Sequence, residues 1–252
     1  MESINVKNLT KLVKENIYKY IKNLDYGHTN KLPSEDDLSS LLNVSRITVR
    51  SALNELASEG LIFRKHGKGT FINVEALKMN VQLTPMKAYT EIIRNSGYST
   101  SVKNINYIIK ELDDEKIAKE LKIPMKEKVV VAKKTFYADK TPCVYCIDYF
   151  PASMLLNEES CEDIKKYENS IFDFFQAECN KKIIWEKSEI TTTTTLENIE
   201  LKKIFKCDND IKSFLVISGT NYDDNNKPVI YAKEYVNTNI INFSFVRQRV
   251  ID

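Results

Sequence analysis

Long apolar runs are missing from this sequence. No stretch approaches the ~20 apolar residues that cross a bilayer, so no membrane span is expected. The opening residues Met1-Glu2-Ser3-Ile4-Asn5 lack the basic region and apolar core of a secretory leader. Cysteine is sparse and odd in number: Cys143, Cys146, Cys161, Cys179 and Cys207. Such a set argues against a disulfide framework and for reduced thiols in the cytoplasm. Histidine occurs only at His28 and His66. The C-terminal two thirds therefore cannot hold a His-dependent triad or acid–base pair. No glycine-rich phosphate loop is present either. Charge of one sign is also lacking, with 37 Lys+Arg against 35 Asp+Glu. A whole-chain balance of this kind leaves room for a small local site.

What is present points to two domains. A chain of 252 residues with 42% hydrophobic content can bury two proper cores. Leu9, Leu12, Val13, Ile17, Ile21 and Leu24 recur at helical spacing and predict a first helix over 9–24. Gly27 follows it, and His28 reads as an exposed loop residue. Pro33-Ser34 opens a second helix. Ser34 and Asp37 read as a capping box, Glu35, Asp36 and Asp37 complement the helix dipole, and Leu38, Leu41 and Leu42 supply the buried face. After the short turn Asn43-Val44, Ser45 caps a third helix carrying Val49, Ala52, Leu53 and Leu56, ended by Gly60. The period then changes. Leu61-Ile62-Phe63 and Thr70-Phe71-Ile72 read as strands around the basic tip Arg64-Lys65-His66-Gly67-Lys68-Gly69. Two helices joined by a tight turn and followed by a hairpin describe a winged helix-turn-helix over residues 1–75.

Residues 76–87 are the expected linker, ending at Thr84-Pro85, and residues 88–252 a second domain. Its pattern predicts a helix over 89–96, a strand over 102–109 and a helix over 113–121. An internal repeat follows. Thr135-Phe136-Tyr137-Ala138-Asp139, Pro142-Cys143-Val144-Tyr145 and Asp148-Tyr149 form one copy. Thr220-Asn221-Tyr222-Asp223-Asp224, Pro228-Val229-Ile230-Tyr231 and Glu234-Tyr235 form the other. Each is a strand, a polar turn and a returning strand preceded by a helix, which predicts an α+β domain with pseudo-symmetry and room for a ligand between its halves.

The basic excess is local. Residues 1–75 hold 11 Lys+Arg against 9 Asp+Glu, and the remainder 26 against 26. Three of only six arginines fall between positions 46 and 64. Donors at the start of a helix can read base edges, and cations nearby can hold phosphates. Ser45, Arg46, Thr48 and Arg50 on the third helix, with Arg64, Lys65, His66, Gly67 and Lys68 on the hairpin tip, are the candidate DNA contacts. The plainer reading of the same charges is a solvated face. Cys143-Val144-Tyr145-Cys146 has a metal-like spacing. It lies in a strand pattern with no second cysteine pair or nearby histidine, so no metal and no cofactor are expected.

Leu32-Pro33-Ser34-Glu35, the run from Val44 through Leu53, Glu59-Gly60-Leu61-Ile62 and Gly67-Lys68-Gly69-Thr70-Phe71 resemble the GntR family of bacterial regulators. Tyr89-Thr90-Glu91, Ala138-Asp139 with Pro142, Ser170-Ile171-Phe172 and the Pro228 hairpin resemble the UTRA effector-binding domain of its HutC subfamily, a chorismate lyase-like α/β fold with an antiparallel sheet. The resemblance implies DNA contacts from the recognition helix and from His66 and Gly67 of the wing. It further implies a homodimer on palindromic operator DNA and a small-molecule effector. The family's usual arginine after Pro-Ser-Glu is Asp36 here, and a carboxylate repels phosphate.

In UTRA domains that bind phosphosugars, the resemblance places two arginines at Lys134 and Phe136, glutamates at Cys146 and Ile230, and polar groups at Ala232 and Val236. Only Ser170 keeps its type, and Phe172 replaces a tyrosine. With Val144 and Glu234, these are the candidate effector residues. Alternation puts Val144 and Cys146 on one face and Ile230, Ala232 and Val236 on another. The expected pocket is apolar, with Lys134 its main cation, and a sugar phosphate is not the expected ligand. Two other readings stay open: an enzyme of chorismate lyase-like fold fused to a DNA-binding module, and a DNA-binding dimer without an effector.

Overall fold

A computed structural model describes residues 6–24, 30–78, 86–156, 158–207 and 210–247. The expected loop at Gly27 and His28 and the linker end at Thr84-Pro85 lie outside the described residues. Two compact units divide the chain. One holds residues up to Met86 together with the segment beginning at Phe243, and the other runs over Lys87–Asn242. Assigning residues after 242 to the first unit departs from the sequence expectation of a second domain reaching 252.

The first unit is built on three helices. In α1 (Val6–Lys22), Val13, Ile17 and Ile21 lie one turn apart and are buried. Leu12, off that line, is exposed. In α2 (Glu35–Leu42) the capping box forms, with Ser34 and Asp37 each bonded to the other's backbone N–H. Asn43 in the left-handed conformation then turns the chain. Leu38 is buried and Leu42 packs against the core, but Leu41 is 73% exposed. The buried stripe of this eight-residue helix is narrow. Positions 38 and 42 lie about 40° apart around the axis, whereas 41 swings roughly 60° to the other side. The third helix, α3 (Arg46–Ser58), buries Val49, Ala52, Leu53 and Leu56 as the periodicity requires.

A hairpin of β1 (Ile62–Lys65) and β2 (Gly69–Ile72) follows, joined by Lys31 as a short third strand opposite Phe71. A short helix, α4 (Val74–Leu77), puts Ala76 into the same core within the stretch expected to be linker and wing edge. Gly60 adopts a positive φ of 72°, and Val246 packs into the space a side chain there would fill. Val246 thus belongs to this core.

The second unit begins with α5 (Tyr89–Asn95). It then repeats one pattern twice. The first copy is β3 (Thr100–Glu111), α6 (Glu115–Leu121), β4 (Lys128–Ala138) and β5 (Thr141–Pro151). The second is β6 (Ile183–Thr194), α8 (Ile199–Phe205), β7 (Ser213–Asp223) and β8 (Pro228–Val236). Two 3-10 segments and α7 (Ile171–Glu178) lie between them. The six strands form one antiparallel sheet in the order β3-β4-β5-β8-β7-β6, so the copies meet at β5 and β8. Around that seam Tyr145 stacks on Tyr235 and Tyr149 contacts Tyr231, repeat-related rings on one face. That face is covered by α6 and α8 through Ile117, Leu121, Leu201 and Phe205. The opposite face packs under α7 and the 3-10 segments through Phe150, Phe174 and Phe175.

Candidate DNA interface and effector face

The recognition elements are built from the cap outward. Ser45 caps α3, its hydroxyl accepting from the Thr48 backbone N–H at 3.2 Å and lying 2.8 Å from the Thr48 hydroxyl. Thr48 is thereby drawn inward and only 7% exposed. Ser45, Arg46 and Arg50 face outward. Their charges are compensated by α2: Arg46 Nε pairs with Asp36 at 2.5 Å, and Arg50 pairs with Glu35 at 2.8 Å. Glu35 also reaches Arg64 on the hairpin at 3.5 Å, so one carboxylate gathers an arginine from the recognition helix and one from the wing. Both Asp36 and the three arginines are well exposed, and such pairs exchange readily with other anions.

At the wing tip Lys65, His66, Gly67 and Lys68 are all exposed. Gly67 has φ 67°, and nothing lies within 4 Å of where its side chain would be. The tip is held from below by the stacked Phe63 and Phe71, over which Lys65 Nζ sits 5.4 and 4.6 Å from the ring centres. The arrangement presents backbone and cations without bulk, as a groove-entering loop must.

The effector candidates fall on one face of the sheet. Register pairs Lys134 with Cys146, and Cys146 with Glu234. It also pairs Phe136 with Val144, Val144 with Val236, and Asp148 with Ala232. Lys134, Phe136, Val144, Cys146, Ala232, Glu234 and Val236 therefore share a face, with Ile230 two residues from Ala232. The division of Val144 and Cys146 from Ile230, Ala232 and Val236 is corrected here. Alternation fixes parity within a strand, but only register fixes it between strands. Ser170 caps α7, its hydroxyl accepting from the Asp173 N–H at 3.4 Å, and Phe172 packs on the same side of the sheet.

The face is not apolar, which corrects the expected character of the pocket. Asp148 is 5% exposed on it, between Ala132 and Ala232. Burial pushes its carboxyl up to about 6, against the pull of Lys134. Glu234 accepts from the Tyr89 hydroxyl of α5 at 2.5 Å, and burial pushes it up to about 8. Lys134 is itself only 8% exposed, 5.2 Å from the Phe136 ring centre, and donates to the Glu168 carbonyl at 3.4 Å. Cys146 is held well above the usual thiol range by burial and the adjoining acids. Cys143 donates to the Phe136 carbonyl at 3.3 Å, and burial pushes it up to about 12. Sequence reasoning missed Asp148 and Tyr89. The internal repeat was the available signal, because it puts Asp148 and Glu234 at equivalent positions of the two copies.

The comparisons accord with this geometry. Residues 9–72 match the model described as bacterial regulatory proteins, gntR family, and residues 96–242 match the UTRA domain. The chain belongs to the gntR family of bacterial regulatory proteins, in its UTRA-containing branch. It is similar to a probable fructoselysine utilization operon transcriptional repressor of Escherichia coli strain K12, 26% identical over 89% of this chain and 88% of that one. It is also similar to the uncharacterized HTH-type regulator YurK of Bacillus subtilis, 34% identical over 53% of this chain and 54% of the relative. The solved structure of the possible transcriptional regulator YydK from the same species shares the fold, with a TM-score of 0.71, 20% identity, and coverage of 95% and 99%. The gntR-family chain is thus a DNA-binding transcription regulator with a UTRA effector-binding domain, not an enzyme. Among the described residues no helix is long and apolar enough to cross a membrane.

Proposed function

We propose that this regulator is a homodimeric repressor that binds a palindromic operator and changes its DNA affinity when a small molecule occupies the face around Lys134, Asp148 and Glu234. The observation that carries the DNA part is the outward set of Arg46, Arg50 and Arg64, themselves well exposed and paired with Asp36 or half-buried Glu35, partners that phosphate can replace. The repressor sense is supported by the fructoselysine operon relative. The dimer follows from reach: one winged domain touches too few bases for genomic specificity, and a two-fold pair matches two half-sites.

On the effector side, a single lysine stands where phosphosugar-binding relatives place two arginines. Buried Asp148 already offsets it. A phosphate dianion brought there would find that cation already offset by Asp148, in a poorly solvated place, which speaks against a sugar phosphate. Fluorescence anisotropy on the inverted repeat upstream of the gene or its neighbours tests the reading. Saturable binding with a stoichiometry of two chains per site, modulated by a metabolite, is expected. Light scattering showing a monomer at micromolar concentration, with and without operator, refutes the dimer.

A further inference from the structure

The acceptors on the effector face outnumber its donors. Asp148, nineteen-twentieths buried, accepts no hydrogen bond from any described residue. Glu234 lies diagonally across the β5–β8 seam from it, roughly 7–8 Å away by the geometry of such pairs. Its only described donor is the Tyr89 hydroxyl. A third, half-buried carboxylate reaches in from β6: Glu186, bonded by the Ser188 hydroxyl, lies over Gly219, the residue opposite Ala232. Beside Glu186, Asn221 is 2% exposed and its Oδ1 has no partner. Against these stands one cation, Lys134, whose ammonium is shared with the Glu168 carbonyl. Ala132, Ala232 and Gly219 leave the row through Asp148 without bulky side chains. Buried acceptors are normally satisfied, and carboxylates and amide oxygens can be satisfied only by donors. A group that brings several N–H donors and a positive charge supplies what this face lacks.

We propose that the effector of this regulator carries a protonated amine or guanidinium group, received between Asp148 and Glu234 with Glu186 beside them. The inference rests on the ligand-responsive reading above and names its ligand class.

The test uses the full chain, thermal melting and operator anisotropy, with eight probes at millimolar concentration. Cadaverine, agmatine and benzylamine are the cations. Glutarate, benzoate and glucose 6-phosphate are the anions, and xylitol and benzyl alcohol the neutral controls. At least one cation is expected to raise the melting temperature by several degrees. Asp148→Asn and Glu234→Gln, which keep shape and remove charge, are each expected to weaken its calorimetric affinity at least tenfold. Stabilisation by an anion with the cations silent overturns the amine class. So does cation binding that survives both substitutions, and so does silence of all eight probes. An anion that also changes operator affinity leaves the ligand-responsive reading standing while rejecting the amine. Binding of a cation that never alters operator affinity supports the amine site and rejects the regulatory reading instead.

Discussion

The two charged regions of this protein solve the same problem in opposite media. On α2, α3 and the wing, arginines and carboxylates pair at the surface, where water screens them and either partner can be exchanged. On the sheet face, Lys134 and Asp148 are held away from water and Glu234 is half-buried, so each charge costs more and its protonation becomes part of the fold's stability. The contrast teaches where a change will be felt. A charge altered at the surface reads out in DNA affinity, and one altered on the sheet reads out in folding.

The largest break in that comparison is Lys134→Met. Removing the cation leaves carboxylates buried without their counter-charge, and chemical denaturation at pH 8 is expected to show a loss of about 3 kcal/mol. The loss should shrink at pH 5 as the acids take up protons. An unchanged midpoint would mean that Lys134 is not coupled to them. Next, Arg50→Ala is expected to weaken specific operator binding by about 1–3 kcal/mol in anisotropy titrations while leaving the unfolding curve in place. Equal losses on operator and random DNA would instead make Arg50 a phosphate contact.

The pH dependence sharpens the buried side. Asp148 rises from the ordinary 3.8 to about 6, and Glu234 from 4.5 to about 8, both chiefly through burial. The folded chain therefore holds protons that the unfolded chain has released. The stability these carboxyls contribute is full below pH 4 and is lost as pH rises through 6 and then 8. Asp148→Asn should flatten the lower part of that decline and raise stability at pH 7.5 by about 1–2 kcal/mol. A melting temperature for this variant that falls below that of the unaltered chain at pH 7.5 contradicts the assignment.

Smaller effects belong to the surface. Asp36→Asn frees Arg46 and should tighten binding to all DNA by about 0.5–1 kcal/mol at low salt. A gain confined to the operator would give Asp36 a role in reading sequence. Lys68→Ala should weaken binding to all sequences alike and reduce the salt slope by about one. A salt slope that stays the same removes Lys68 from the phosphate contacts.

Much of the first unit was legible because its signals are local. The Ser34–Asp37 box, the Ser45 cap and the stripe Val49, Ala52, Leu53, Leu56 lie within a few residues of their partners. Leu41 was misjudged because an eight-residue helix has room for only a narrow buried stripe. The repeat was visible too, and it correctly placed two hairpins behind two helices.

The sequence by itself determined the three helices and hairpin of the winged domain, the repeated hairpins with their helices, and the family, since caps, periods and repeats are written in neighbouring residues. Only the tertiary structure decided which charges meet. Glu35 lies 15 and 29 positions from the arginines it joins, and Tyr89 lies 145 from Glu234. The register between β5 and β8, which puts Asp148 and Glu234 on one buried face, is set by packing of the whole sheet. A carboxylate's character depends on the dielectric and the partners around it, and no stretch of sequence carries that information alone.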